Sequence, residues 1–215
     1  MKKTIGLLIA MGFMVMQAGM VSAATATRSF TVSATVPAAT GVSINAASVA
    51  VNADGTSGAW TALAADATTM SFGTLTYNST YGYWAPDHYF AVDIGTSGGA
   101  GNLTTVVTYS EGTNQNQSSG GHGLGYKGIA TFQKVTGSGT NTQEATIAAH
   151  GKKRFIDLTG ETVTPAQVSG GWLRVYLGIA TDPTATGMPT GTEIFTNLDH
   201  SGQYTGTVTF TATVS

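Results

Sequence analysis

Two fragments of the chain carry the residue types of a hydrolytic site. Gly95-Thr-Ser97-Gly-Gly99 places a hydroxyl in a glycine-rich string, and Ala148-Ala-His150 supplies an imidazole, the nucleophile and general base that acyl transfer needs. In the chain order that pairs such strings the histidine comes first, whereas here it follows the serine by more than fifty residues. With 29 glycines in the chain, a string of this kind arises by chance, and no catalytic residue is expected. His88 beside Asp87, with Asp93 nearby, could seed a metal site, but period-two alternation sends His88 and Asp93 to opposite faces of one strand. His122, His150 and His200 stand singly, without ligand spacing, so solvated or hydrogen-bonded histidines are expected and no metal or other cofactor. Asn52-Ala-Asp-Gly55 lacks the repeated acidic ligands of a calcium loop and is read as a turn. Lys152-Lys-Arg154, the one basic cluster, is read as the solvated start of a strand rather than an anion or glycan site.

Aromatic side chains offer a different chemistry. Tyr77, Tyr81, Tyr83, Trp84, Tyr89 and Phe90 crowd one short stretch, and rings at that density can stack on sugars or anchor an interface. Core packing and subunit contact are the first readings of the stretch. If the chain binds a surface ligand, Tyr81, Tyr83 and Trp84 are its candidate contact aromatics.

Whatever these residues do, they do it after export. Lys2 and Lys3 precede an apolar stretch from Ile5 to Met20, and Val21-Ser-Ala23 offers small residues before Ala24, the pattern of a secretory signal peptide over residues 1–23. The apolar stretch is short for a membrane span, and no later one is expected to cross a bilayer. Without cysteine, the secreted chain depends on burial and strand pairing for its stability even in an oxidising compartment. Nine Lys and Arg, two of them in the leader, face 11 Asp and Glu, so neither nucleic acid nor anionic lipid is expected as a partner. Charged residues make up only 9% of the chain, and faces dressed in hydroxyls rather than charges oppose contact with copies of themselves very little.

The elements that position these residues read as strands. Short apolar-alternating runs separated by Gly, Asn, Asp, Ser or Pro argue for an all-β, Ig-like antiparallel β-sandwich in one domain over residues 38–215. The expected strands are Phe30–Val36, Val42–Val51, Met70–Tyr77, His88–Ile94, Leu103–Tyr109, Ile129–Val135, Arg154–Leu158, Trp172–Ala180, Glu193–Thr196 and Tyr204–Val214. Trp60–Thr69 and Thr164–Ser169 are candidate helical turns, and Gly112–Gly128 is read as a mobile surface loop. In the last strand, Tyr204, Val208, Phe210, Ala212 and Val214 should face the core.

The two ends of the secreted chain are near copies of each other: Arg28-Ser-Phe-Thr-Val-Ser-Ala-Thr-Val36 and Thr207-Val-Thr-Phe-Thr-Ala-Thr-Val214. Both alternate apolar and hydroxyl side chains, so both should carry one buried and one wet face. Phe30, Val32, Ala34 and Val36 would present one apolar row to a groove in an incomplete sandwich. Burying the three larger of them at about 1.5–3 kcal/mol each, with ladder hydrogen bonds at about 0.5–1.5 kcal/mol net, gives an upper bound well above 5 kcal/mol. That strand can pair within its own chain, or complete the sheet of a neighbour and so build an open head-to-tail polymer.

The same residues carry a family resemblance. Phe30-Thr-Val-Ser-Ala-Thr-Val-Pro37, soon after the leader, and a last strand opening Gly202-Gln-Tyr-Thr-Gly206 make the chain resemble a pilin of the chaperone–usher pathway, closest to the cysteine-free major pilins of the colonisation-factor type. The resemblance covers the first and last two dozen or so mature residues, and Val214 stands where many pilins have an aromatic residue. More loosely, Ser71-Phe-Gly-Thr-Leu75 is similar to motifs of secreted spore-coat-like sandwich domains. The pilin resemblance implies a donor-strand extension over residues 24–37, a structural subunit of a surface filament on a bacterial cell, assembly with identical subunits, and a periplasmic chaperone and outer-membrane usher. The alternative is a self-complete secreted sandwich that acts as an adhesin or binds glycan.

Overall fold

Alternation organises the last strand. In the computed structural model, which describes residues 25–29, 41–53, 55–65, 67–96, 102–112, 122–140, 142–199 and 203–214, Gly206–Val214 is a nine-residue strand, β13. Val208, Phe210 and Ala212 are buried, while the intervening threonines are half-exposed. β13 lies antiparallel beside β7 (Leu103–Glu111) over their whole length, which sets Val208 opposite Tyr109, Phe210 opposite Val107 and Val214 opposite Leu103. β11 (Thr159–Val163) continues this sheet on the far side of β7, and β1 (Thr25–Ser29) pairs with the outer edge of β13, giving the order β1-β13-β7-β11.

A second, seven-stranded sheet faces it. Its order is β10 (Lys152–Arg154), β8 (Gly128–Val135), β12 (Trp172–Ile179), β6 (His88–Gly95), β2 (Ser43–Val51) and β3 (Ser57–Ala62), with β9 (Glu144–Thr146) added to β8. Phe90, Val92 and Ile94 of β6, Phe132 of β8, and Leu173, Val175 and Leu177 of β12 form one hydrophobic core with Leu103, Val107, Phe210 and Ala212 of the first sheet. The fold is therefore all-β, with two antiparallel sheets packed face to face. A hairpin of β4 (Thr76–Asn78) and β5 (Tyr83–Ala85) stands apart from both sheets.

The larger sheet is covered on its outer face as well. β6 alternates into the core through Phe90, Val92 and Ile94, yet Ala91 and Asp93 on the opposite face are also buried. Asp93 lies directly across from Arg174 of β12, and the guanidinium grips its carboxylate with two bonds, Nε to Oδ1 at 2.6 Å and Nη2 to Oδ2 at 2.8 Å. Arg174 is 1% exposed. Its remaining donors reach the Gly139 carbonyl (2.6 Å), Glu144 (2.9 Å) and the Thr142 hydroxyl (3.1 Å), while the Trp60 ring lies over its other side with the centroid 4.7 Å away. Burial works against the charge of Arg174, but the hydrogen bonds to Asp93 and Tyr176 outweigh it and raise the pKa of the guanidinium. The segment between β8 and β9 and the indole of β3 thus clamp one ion pair against the sheet.

Other buried groups fix the short elements. Lys127 ends a single helical turn, α1 (Leu124–Lys127), and is 3% exposed. Its ammonium donates to the Ile194 carbonyl (2.9 Å), pairs with Asp199 (3.0 Å) and lies 5.0 Å from the centre of the Phe195 ring, which holds residues 193–199 against the body. A 3-10 turn over Pro165–Val168 opens with a capping box in which Thr164 and Gln167 satisfy each other's backbone groups.

Several expected elements differ. Met70–Leu75 is not a strand: Met70 and Phe72 pack against the core from an irregular segment, and pairing begins only at Thr76. Among the described residues of Trp60–Thr69 none is helical, although the Ala67 N–H donates to the Ala64 carbonyl (2.9 Å); Trp60 belongs to β3, which pairs with β2. Arg154–Leu158 is the end of β10 followed by a 3-10 turn over Phe155–Asp157, and Glu193–Thr196 forms only an isolated bridge from Phe195 to Trp84. Within Gly112–Gly128, residues 113–121 lie outside the described residues, and Leu124–Lys127 is helical. Phe30–Val36 also lies outside them.

Arg174→Ala should cost about 3–5 kcal/mol in urea denaturation, because it strands the Asp93 carboxylate in a buried site. Arg174→Met combined with Asp93→Leu should recover most of that loss, and a cost below about 1 kcal/mol for the single variant would show that the pair does not clamp the outer layer. Gly95 has a packing role: a Cβ there would lie 2.3 Å from Cδ2 of Trp172. Gly95→Ala should therefore cost about 1–3 kcal/mol and change the near-UV circular dichroism of the displaced indole; an unchanged melting temperature would contradict this contact.

Candidate functional site

A strand from near the start of the chain and its last strand meet at one sheet edge. β1 runs antiparallel to β13, with Thr25 opposite Thr213, Thr27 opposite Thr211 and Ser29 opposite Thr209. This ladder covers Thr209–Thr213 of a β13 that extends from Gly206 to Val214. The other edge of β13 is paired with β7 along its full length, and its outer edge with β1 over Thr209–Thr213. Val208, Phe210 and Ala212 are buried beneath it, Val214 is half-buried against the same core, and Tyr204, just before the strand, is half-buried with its ring edge-on to Phe195 at 4.8 Å. The proposed donor residues Phe30, Val32, Ala34 and Val36 lie outside the described residues, immediately after β1.

The aromatic stretch divides into anchor and display. Trp84 donates from Nε1 to Asn197 Oδ1 (3.2 Å), its ring packs 5.0 Å from that of Tyr77, and its backbone N–H bonds the Phe195 carbonyl (2.8 Å). Asn197 returns a hydrogen bond to the Tyr77 hydroxyl (2.9 Å). Trp84 thereby fastens the β4–β5 hairpin to residues 195–197. Tyr81, in the hairpin turn, is 72% exposed and stacks on Tyr83 at 6.1 Å, so it is the ring of the three most open to a partner. Leu198, 84% exposed, follows directly on the residue to which the hairpin is fastened.

The histidines and basic residues whose side chains are described are engaged within the protein. His88 bonds Asp87 through Nδ1 (2.5 Å) and the Ser71 carbonyl through Nε2 (2.8 Å); the bond from His88 holds the Asp87 carboxyl below the usual carboxylate range. His150 is buried between Glu161 (2.5 Å) and Gln167 (3.1 Å), and Ser97 lies outside the described residues. His122 pairs with Glu193, and His200 lies outside the described residues. Arg154 makes a two-bond pair with Asp157 (2.7 and 2.8 Å) that holds the carboxyl below its ordinary pKa, and Lys153 approaches Glu161 at 3.5 Å. Gly55 donates to the Asn52 carbonyl (2.8 Å) in the turn between β2 and β3. Among the described residues, no three His, Asp or Glu side chains converge as a metal ligand set.

Two features of the site escape sequence reading. One is the Arg174–Asp93 clamp. The other is a half-open pocket of about 660 Å³ beside the start of β13, lined in part by Thr69–Leu75. An arginine inside an apolar run of β12 is the only sequence signal for the first, and Met70, Phe72 and Leu75 in a run that does not keep strand alternation are the signal for the second. No helix among the described residues is long and apolar enough to cross a membrane. No family model, curated protein or solved structure matches the chain.

Proposed function

We propose that this chain is the structural subunit of an extracellular pilus or fimbria-like filament, with an Ig-like sandwich completed by donor-strand exchange. The observation that carries the reading is the meeting of the two chain ends on the outer edge of β13. An N-terminal segment that pairs antiparallel with the C-terminal strand makes its principal ladder with one partner strand, at an edge open to a competing strand from a neighbour. The neighbour's Phe30–Val36 brings a row of larger apolar side chains to that edge than the Thr and Ala residues of β1 can. Such a contact is heterologous, and repeated it grows an open filament. The leader-like N-terminus, the 9% charge content and the hydroxyl-rich surface fit export and self-association. Identical subunits are the partners, delivered through the periplasm to the bacterial cell surface by a chaperone and an outer-membrane usher. Neither catalysis nor a cofactor belongs to this role.

A second reading has its own observation. The pairing of β1 with β13 lies within one chain, which suits a self-complete secreted sandwich, and the exposed Tyr81 beside Tyr83 would then be the contact of an adhesin or glycan-binding protein.

Assembly of the chain from Ala24 onward separates the two. Filament growth predicts a ladder of multimers that survives detergent in the cold and collapses on boiling, with masses confirmed by light scattering. Val32→Asp should remove the ladder while leaving the far-UV circular dichroism of the subunit unchanged, since it forces an unpaired charge into an apolar groove. Deleting Thr27–Val36 should also stop growth, and a Phe30–Val36 peptide should raise the melting temperature of the truncated subunit. A wild-type chain that stays monomeric at every concentration, with its N-terminal strand protected from proteolysis, would overturn the filament in favour of the self-complete domain.

A further inference from the structure

Lys127 is the one buried lysine among the described residues, and its chemistry differs from that of the buried arginine. A guanidinium keeps its charge and is no nucleophile, whereas an amine that gives up its proton can attack a carbonyl carbon. Nζ of Lys127 touches Oδ1 of Asp199 at 3.0 Å, with the carboxyl carbon one bond beyond, and lies 3.5 Å from Oε2 of Glu193. It also donates to the Ile194 carbonyl (2.9 Å), and the Phe195 ring, itself 5% exposed, closes one side of it. The Asp199 side chain is 13% exposed, and its second oxygen, Oδ2, accepts from the Thr196 N–H (2.7 Å). One ammonium therefore meets two carboxylates where little water reaches, and the desolvation of the charges opposes their pairing.

We propose that Lys127 and Asp199 condense after folding into an intramolecular amide cross-link, with Glu193 as the proton carrier. Glu193 takes one proton from the ammonium, and the freed lone pair of Nζ attacks Cγ of Asp199 to form the C–N bond. The negative charge that develops on Oδ2 faces the Thr196 N–H, which stabilises it. Glu193 then hands its proton to Oδ1 and carries a second one there from the nitrogen, and the bond from Cγ to Oδ1 breaks. The nitrogen has given two protons and the carboxylate one oxygen, so one water leaves, both charges vanish and no oxidant or cofactor takes part. The other oxygen of Glu193 pairs with His122, a ring 46% exposed, which places the proton carrier at the solvent margin where the water can depart. The amide retires a buried ion pair whose burial is otherwise costly. It also ties α1, at the entrance to β8 in the larger sheet, to the segment that leads into β13 in the smaller one. In a chain without cysteine, this bond supplies the covalent tie that disulfides give other exported domains.

Intact mass spectrometry of the purified chain from Ala24 onward, in denaturant, tests the bond directly. The wild type should weigh one water less than its sequence dictates, and trypsin should leave Lys127 uncut within a branched peptide that contains Asp199. Lys127→Arg, which keeps the positive charge but cannot condense, should have its full sequence mass. Glu193→Gln, which keeps the reacting pair and removes the proton carrier, should also have its full mass while its far-UV circular dichroism matches the wild type. A wild-type chain at full mass would overturn the proposal whether or not the variants fold. So would a missing water that maps to the peptide containing Asp54-Gly55, where a succinimide has the same mass. A branched peptide that persists in Glu193→Gln would overturn the role of that carboxylate.

Discussion

A single ion pair holds the outer covering of this protein to its larger sheet. Arg174 and Asp93 face each other across adjacent central strands of the larger sheet, on the side turned away from the sandwich core. An exposed position there would need only a hydroxyl, as on most of this chain's wet faces. A buried guanidinium and carboxylate instead require complete satisfaction, because each unpaired donor or oxygen in a low-dielectric site carries a desolvation cost of several kcal/mol. That requirement recruits Gly139, Thr142 and Glu144 from one side and the Trp60 ring from the other. The edge strand β3 and the β8–β9 segment are thereby joined to the middle of the sheet, and a strand order that would otherwise end in two loose margins becomes a bound unit.

Legibility in the sequence followed the range of the interaction. β13, β7, β12 and β6 were readable because strict alternation is a local property, and in each case the apolar phase meets the core. Met70, Phe72 and Leu75 carry the composition of a strand but line a half-open pocket from an irregular segment, half-buried and without ladder pairing. Trp60 looked like part of a helical turn because the reason for its position, the Arg174 guanidinium, lies more than a hundred residues away in sequence. Lys127 sits in a segment that composition reads as loop, yet it is nearly inaccessible, since its partners Asp199 and Ile194 arrive from a distant part of the chain. Gly95 stood in a string that suggested chemistry and proves to be the flat place on which Trp172 rests.

The candidate site shows the same division. The resemblance of Arg28–Val36 to Thr207–Val214 is visible in the sequence; of the first segment only Arg28 and Ser29 are among the described residues, at the end of β1, which pairs with β13. The segment that pairs lies just upstream of the segment whose apolar row drew attention: Thr25–Ser29 makes the ladder, and Phe30 follows it. The strand at the edge is short and rich in threonine, and the residues that follow it in sequence are more apolar.

The direction of the β1–β13 ladder has a mechanical meaning. Thr25 lies opposite Thr213, so the N-terminal end of one strand and the C-terminal end of the other emerge side by side. Tension applied through these two ends pulls across the strands and opens the hydrogen bonds in sequence, like a zipper, each step loading only the outermost pair. The same bonds pulled along the strand axis would share the load and fail together. As an internal closure, then, β1 is a seam that yields to small forces, and a strand held in shear at that edge would resist far larger ones.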